Sequence, residues 1–246
     1  MEWADEGVVL STRPYGETSA VAEVFTEDHG RHLGLVRGAR GKRLAPAVQI
    51  ANLVRVGWRA RLPEQLGVFQ VELLEPHAAR ALDDPLRLTG AASLCSLARL
   101  LPERAPHPAL YRAFRHVLAQ LEEPSVWPAL TASWELMLLD ELGFGLDLES
   151  CAATGTRENL TYVSPRSGQA VCAAAAAPYK DRLLPLPPYL RRRSPGVPVQ
   201  APTPKDVADA LRLTGYFLEK RAFMLSGARL PEARVRLLAY LSRTER

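Results

Sequence analysis

The 246-residue chain is poor in the features that mark several large protein classes. It has three cysteines (Cys95, Cys151 and Cys172), too few and too scattered for a disulfide framework. No apolar run approaches the roughly 18–20 residues of a bilayer-spanning helix; Leu136–Leu139 stops at Asp140 and Glu141. The N-terminus, Met-Glu-Trp-Ala-Asp-Glu, is acidic where a secretory leader begins basic. These absences lead to the expectation of a cytoplasmic protein without membrane contact. Aromatic residues make up only 7%, so few rings are available for stacking on nucleobases. Acids are missing altogether from residues 29–62.

What is present is a large apolar fraction, 47%, enough to bury a core. The net charge of +4 averages over a steep gradient. Residues 1–28 hold one basic side chain, Arg13, against seven acids. Residues 29–62 hold eight: Arg31, Arg37, Arg40, Lys42, Arg43, Arg55, Arg59 and Arg61. The remaining 184 residues are nearly balanced, with 22 basic and 20 acidic side chains. Ordinary surfaces intersperse the two signs, so such segregation suits a polyanion or a steering field.

Patterning divides the chain. Gly7–Thr12, Ser19–Thr26, Leu33–Arg37, Leu53–Arg61 and Gly67–Leu73 read as five short strands, a number that fits a five-stranded OB-type barrel. Val54, Val56 and Trp58 alternate with Arg55, Gly57 and Arg59, so the arginines face away from the core. Gly38–Pro46 carries too much glycine and charge for a strand and reads as a loop. Beyond residue 76 the period becomes helical over 85–101, 106–121, 127–142, 203–225 and 231–242, with Thr203 and Pro204 as a start signal. Between the helices, Leu160–Val163 and Gln169–Cys172 read as a hairpin. The expected architecture is α+β. A barrel over 1–76 is followed by a helical bundle over 77–150. A small hairpin insertion spans 151–200, and C-terminal helices over 201–246 pack on the bundle.

The basic stretch is the strongest functional signal. On a barrel face with an adjoining loop it would track a phosphate backbone with little sequence specificity. Gly38–Arg43 is not a phosphate loop of the Walker type, because Val36 stands where the first glycine belongs and Arg43 where Ser or Thr belongs. No nucleophile elbow, paired-carboxylate cluster or metal-protease helix is visible, so no catalytic residue, cofactor or metal is expected. Glu135, Asp140 and Glu141 read as the polar face of a helix. Arg191–Arg193, after a proline-rich segment, reads equally as a second phosphate contact or as a solvated turn. Cys151-x-x-Thr154 and Cys172-x-x-Ala175 look like two halves of a zinc ribbon, each lacking its second thiolate.

Several motifs converge on one family. Glu6-Gly-Val-Val-Leu with Arg13-Pro-Tyr-Gly-Glu-Thr-Ser19, then Val24-Phe-Thr26 and Gly30-Arg31, then Val36-Arg-Gly-Ala-Arg-Gly-Lys-Arg43, closely resemble the N-terminal domain of the bacterial RecO family of DNA repair proteins. Glu141–Leu148 with Cys151-x-x-Thr-Gly155, and Tyr162-Val-Ser-Pro-Arg-x-Gly168, resemble its C-terminal part. The resemblance implies a non-enzymatic recombination mediator with an OB-fold, a helical domain and a zinc-ribbon-like element. It implies binding of single- and double-stranded DNA, strand annealing, and partnership with RecR in loading RecA on DNA coated with single-strand-binding protein. Some members hold zinc at the positions of Cys151, Thr154, Cys172 and Ala175. Some use a basic residue just before an aromatic-Glu pair to bind the acidic tail of single-strand-binding protein. Here that pair is Trp134-Glu135, preceded by Thr131-Ala-Ser133, so Arg112 and Arg115 with Trp134 become the candidates for the tail. Two rival readings are an adaptor that binds RNA or an acidic protein through the basic face, and a nuclease using the acids of residues 17–28.

Overall fold

The computed structural model describes residues 1–191, 201–224 and 227–243. The chain divides into two compact units, Met1–Trp127 and Pro128–Arg246.

The first unit is a closed five-stranded barrel with three helices. Its strands are β1 (Glu2–Tyr15), β2 (Ser19–Thr26), β3 (Gly30–Val36), β4 (Leu53–Arg59) and β5 (Val68–Glu75), in the order β1-β2-β3-β5-β4 with β4 closing on β1. All pairs are antiparallel except β3 with β5, a short parallel contact at Leu35–Val68 and Val36–Phe69. This is the OB-fold. β1 serves two neighbours. Glu2–Val8 pairs with β4, Gly7–Tyr15 pairs with β2, and a register shift between Val9 and Ser11 bends the strand from one to the other. Closure also needs Gly34, because a Cβ there would run into the Phe69 ring.

The barrel core is Val9, Val24, Val36, Val54, Val56, Trp58 and Phe69. Trp58 lies inside, as its alternation with Arg55 and Arg59 predicts, and its Nε1 donates to the Leu66 carbonyl at 3.0 Å. β2 is buried on both faces from Ala22 to Thr26. Its inner face fills the barrel. On its outer face Phe25 meets Tyr111 and Phe114 edge-on, at ring distances of 5.2 and 5.8 Å.

Those aromatic rings belong to α3 (Pro108–Ala119), which follows α1 (His77–Ala81) and α2 (Pro85–Ala98). α2 starts where Asp84 accepts hydrogen bonds from the backbone of Leu86 and Arg87, with Pro85 in the first turn. Tyr111 Oη donates to the Glu6 carbonyl at 2.8 Å, and the Ala78 amide donates to Asn52 Oδ1 at 2.9 Å. These bonds place α1–α3 in one unit with the barrel. The compact units therefore part at 127/128, beyond the 76/77 border at which the sequence period changes.

The second unit holds most of α4 (Trp127–Glu141) and a sheet of β6 (Leu160–Val163), β7 (Ala170–Cys172) and β8 (Leu184–Pro185) in the order β7-β6-β8. α5 (Ala173–Ala176), α6 (Pro204–Phe217) and α7 (Glu232–Arg243) complete it, with α6 passing into a π-helical turn at Leu218–Phe223. α6 begins with a capping box: the Asp206 amide donates to Thr203 Oγ1 at 3.1 Å and the Thr203 amide donates to Asp206 Oδ2 at 2.9 Å. Ala129 and Ala132 of α4 pack against Val207, Ala210 and Leu211 of α6. Among the described residues, no helix is long and apolar enough to cross a membrane.

Glu135 is a correction. It is not on the polar face of α4 but fully buried, where Arg234 of α7 clasps it. Asp140 and Glu141 are exposed as expected.

Candidate nucleic-acid interface

Gly38 leaves β3 with φ +69°, a left-handed turn that suits glycine. The following segment folds back through hydrogen bonds from the Gly41 amide to the Gly38 carbonyl (2.9 Å) and from the Ala45 amide to the Gly41 carbonyl (3.0 Å). Ala39, Ala47 and Val48 are buried, and the Arg40 amide donates to the Thr18 carbonyl at 3.0 Å. Small apolar residues thus pin the loop, and its cations point out. Arg37, Arg40, Lys42 and Arg43 are all exposed, and among the described residues none of the four has an ion-pair partner. Arg40 Nη1 donates to the Glu17 carbonyl at 3.1 Å, which fixes its side chain without neutralising it. Arg61, just past β4, is exposed too and has no ion-pair partner among the described residues. Arg13, the lone cation of residues 1–28, is exposed towards the end of β1 and was not among the residues singled out from sequence.

The other basic residues of the stretch are differently placed. Arg31 is a structural ion: its side chain is only 15% exposed and lies between Glu23 and Glu103. Its Nε donates to the Leu101 carbonyl at 2.8 Å. Arg55 and Arg59 do face outward, but register brings acids beside them. Glu6, Arg55 and Glu72 form one cross-strand row on β1, β4 and β5, and Glu2 and Arg59 stand side by side four residues away. Arg55 Nη1 lies 2.9 Å from Glu72 and Nη2 lies 3.8 Å from Glu6; Arg59 lies 3.9 Å from Glu2. The continuous basic face expected from sequence is therefore interrupted.

The acidic first segment supplies much of that neutralisation. Glu2 and Glu6 serve β4, Glu23 serves Arg31 and Arg99, Glu27 serves Arg112, and Asp5 meets His29. The two charge blocks cancel across the barrel wall and leave the 37–43 loop as the concentrated positive feature.

Glu23 anchors this arrangement. Burial alone would raise its pKa. Hydrogen bonds from Arg31 and Ser11, with the charges of Arg99 and Arg31, outweigh burial and hold it below the ordinary value of 4.5. Its stabilisation is therefore complete above that value and is lost as pH falls through the lower folded-state pKa. Glu23→Gln should cost about 3 kcal/mol in a urea titration at pH 7, since it leaves the largely buried Arg31 with only the more distant Glu103, at 3.7 Å. The gap between variant and wild type should close as pH drops well below 4.5. A gap that stays constant with pH would contradict the charge-based account.

Arg112 and Arg115 also pair with barrel acids, Glu27 at 3.0 Å and Glu6 at 3.3 Å. Trp134 lies in the other unit and is 1% exposed, so no ligand reaches it in this conformation. Thr131 and Ala132 are buried as well, which explains why no long basic side chain stands there. Of Arg191–Arg193, only the first is described; its Nη2 donates to the Leu186 carbonyl at 3.2 Å, and burial pushes its pKa down. Arg192 and Arg193 lie outside the described residues.

The hairpin of the second unit brings Cys151 and Cys172 together. The Cys172 amide donates to Cys151 Sγ at 3.3 Å, and Thr154 Oγ1 lies 3.6 Å from Cys172 Sγ. Two thiols, a hydroxyl and the methyl of Ala175 do not make a tetrahedral zinc donor set. Among the described residues no group of three or more His, Cys, Asp or Glu gathers to hold a metal. What persists is sulfur geometry. Burial raises the Cys151 pKa, but hydrogen bonds from the Thr154 hydroxyl and the amides of Cys172, Ala153 and Thr154 bring it down to about 6. Buried Cys95 is pushed up to about 12. In a Cys95→Ala, Cys172→Ser variant the ultraviolet thiolate absorbance should titrate with a midpoint well below the ordinary thiol value. A midpoint at the ordinary value of 9.0 would refute the role of these bonds.

Family comparison agrees with the architecture. Residues 1–77 match the model of the N-terminal domain of recombination protein O, and residues 82–224 match that of its C-terminal domain. The chain belongs to the RecO family. DNA repair protein RecO of Methylobacterium nodulans is 52% identical over 234 residues, covering 95% of both chains. RecO of Methylorubrum extorquens is 50% identical over 240 residues, covering 97% of this chain and 98% of that one. RecO of Mesorhizobium japonicum is 48% identical over 241 residues, 98% of this chain and 94% of its own. The two RecO models divide the chain by domain sequence, between residues 77 and 82, whereas the compact units divide it at 127/128.

Proposed function

We propose that this RecO chain binds the sugar–phosphate backbone of single- and double-stranded DNA through the 37–43 loop and promotes annealing of complementary strands. With RecR it assists RecA loading on DNA coated with single-strand-binding protein, in the cytoplasm at the nucleoid. It makes and breaks no covalent bond. The observation that carries this reading is the anchored loop with four exposed, unpaired cations, in a barrel whose other charges are largely matched.

The mechanism is electrostatic. Two complementary strands repel each other as polyanions. A loop that neutralises phosphates on one strand lowers the field the second strand meets, and releases counterions as it does so. Side chains without base-edge geometry hold any sequence equally well. The acidic tail of single-strand-binding protein is assigned to Arg112, whose side chain is 67% exposed despite its contact with Glu27.

The test is a salt titration of DNA binding with unrelated sequences, run beside an annealing assay. Log affinity for duplex should fall linearly with log salt with a slope of about −3 to −4, close to −0.9 per neutralised phosphate. A salt-independent or sequence-restricted affinity would sink the proposal. Preference for RNA or an acidic peptide over DNA in competition would favour an adaptor instead.

A further inference from the structure

The basic loop forms one wall of a groove of about 470 Å³ in the first unit. The opposite walls come from the end of β1 and from α1 and α2. Pro14, Ile50, Leu82 and Leu88 give it an apolar lining, and a volume in this range suits a small planar ligand. Leu82 is 69% exposed, and Ile50 and Leu88 are each 44% exposed, so the groove holds apolar surface that the fold leaves open to water. No acid lines it; the one charged lining residue is Arg40, fixed by its bond to the Glu17 carbonyl. Thr12 and Gln49 add a hydroxyl and an amide.

We propose that this groove seats an unpaired nucleobase of single-stranded DNA while the 37–43 loop holds the neighbouring phosphates. The inference rests on the DNA-binding reading and extends it to strand preference. The occupant must bring negative charge to the loop and a flat apolar group to the groove in the same short segment, as each nucleotide of a single strand does. A duplex keeps its bases stacked inside, and extruding one costs unpairing energy. Gln49 and Thr12 both donate and accept, so they can satisfy the polar edge of any base. The groove therefore adds affinity for single strands without sequence readout. It also keeps a captured strand from folding on itself before its complement arrives.

The experiment compares wild type with an Ile50→Ser, Leu82→Ser, Leu88→Ser variant. All three positions are exposed, so the fold is retained. Affinities for an oligothymidylate and for a duplex of equal length are measured at one salt concentration. The variant should lose about tenfold for the single strand and keep its duplex affinity. Photocrosslinking with a halogenated uracil base in the oligothymidylate should label peptides from residues 45–50 or 78–88 of wild type. An equal loss for both DNAs, no loss for either, or crosslinks confined elsewhere would overturn the groove assignment. So would an acidic peptide with apolar side chains that fills the groove and leaves single-strand affinity intact. Failure of wild type to bind any DNA would instead remove the backbone reading itself, and the groove with it.

Discussion

Replacing Arg37, Arg40, Lys42 and Arg43 together with alanine should weaken DNA binding by about two orders of magnitude or more at low salt. The slope of log affinity against log salt should become shallower by about 3 to 4, as four phosphate contacts disappear. Stability should barely change, because the four side chains are exposed and the loop is held by Ala39, Ala47, Val48 and backbone bonds. Two control variants separate this loop from the rest of the basic stretch. Arg55→Ala with Arg59→Ala should cost much less affinity, since each removed charge is already matched by Glu6 and Glu72 or by Glu2. Arg31→Ala should act on stability, because it strips the buried Glu23 of a partner. Fluorescence anisotropy over a salt series and a strand-annealing assay read all three. A quadruple variant that anneals as well as wild type would place the DNA elsewhere on the molecule.

The contrast between these variants marks where sequence reading stops. Strand alternation was legible: β2 and the start of β4 fall where the pattern puts them, and Trp58 faces inward. β1 is longer than its apolar run because Glu2, Ala4 and Glu6 are outer-face residues of the same strand, and their acids match β4 arginines. Acids are poor strand formers in isolation, so only the cross-strand pairing reveals them. The same register decides which arginines stay free. A run of eight cations without an acid looks uniform along the chain, but neutralisation happens between strands far apart in sequence. Glu135 shows the same limit in a helix. A carboxylate on the same helix as Asp140 and Glu141 suggests a solvated face, and only the arrival of Arg234, 99 residues later, makes it interior.

That buried pair carries the other large expected effect. Arg234 Nε lies 2.5 Å from Glu135 Oε1 and Nη2 lies 2.8 Å from Oε2, with both side chains wholly buried. Nη2 also donates to the Leu211 carbonyl at 2.6 Å, and Thr214 Oγ1 donates to Glu135 Oε2 at 2.5 Å. The cluster ties α4, α6 and α7 together at one point. Arg234→Met should destabilise the chain by about 3–5 kcal/mol, because a carboxylate is left buried with only a threonine hydroxyl. In a chain of this size that corresponds to a fall in Tm of roughly 6–20 °C. Among the described residues Arg234 Nη1 has no hydrogen-bond partner, so the pair as built carries an unmet desolvation cost of its own. Adding Glu135→Leu to Arg234→Met should therefore recover much of the loss, since removing both charges costs less than removing one. Thr214 keeps a hydrogen bond to the Ala210 carbonyl at 3.1 Å in that background. The four proteins form a double-mutant cycle in urea. Single variants near wild type in stability would mean that water already reaches the pair. A double variant no better than Arg234→Met would mean that lost packing, and not the orphaned charge, is what the arginine prevents.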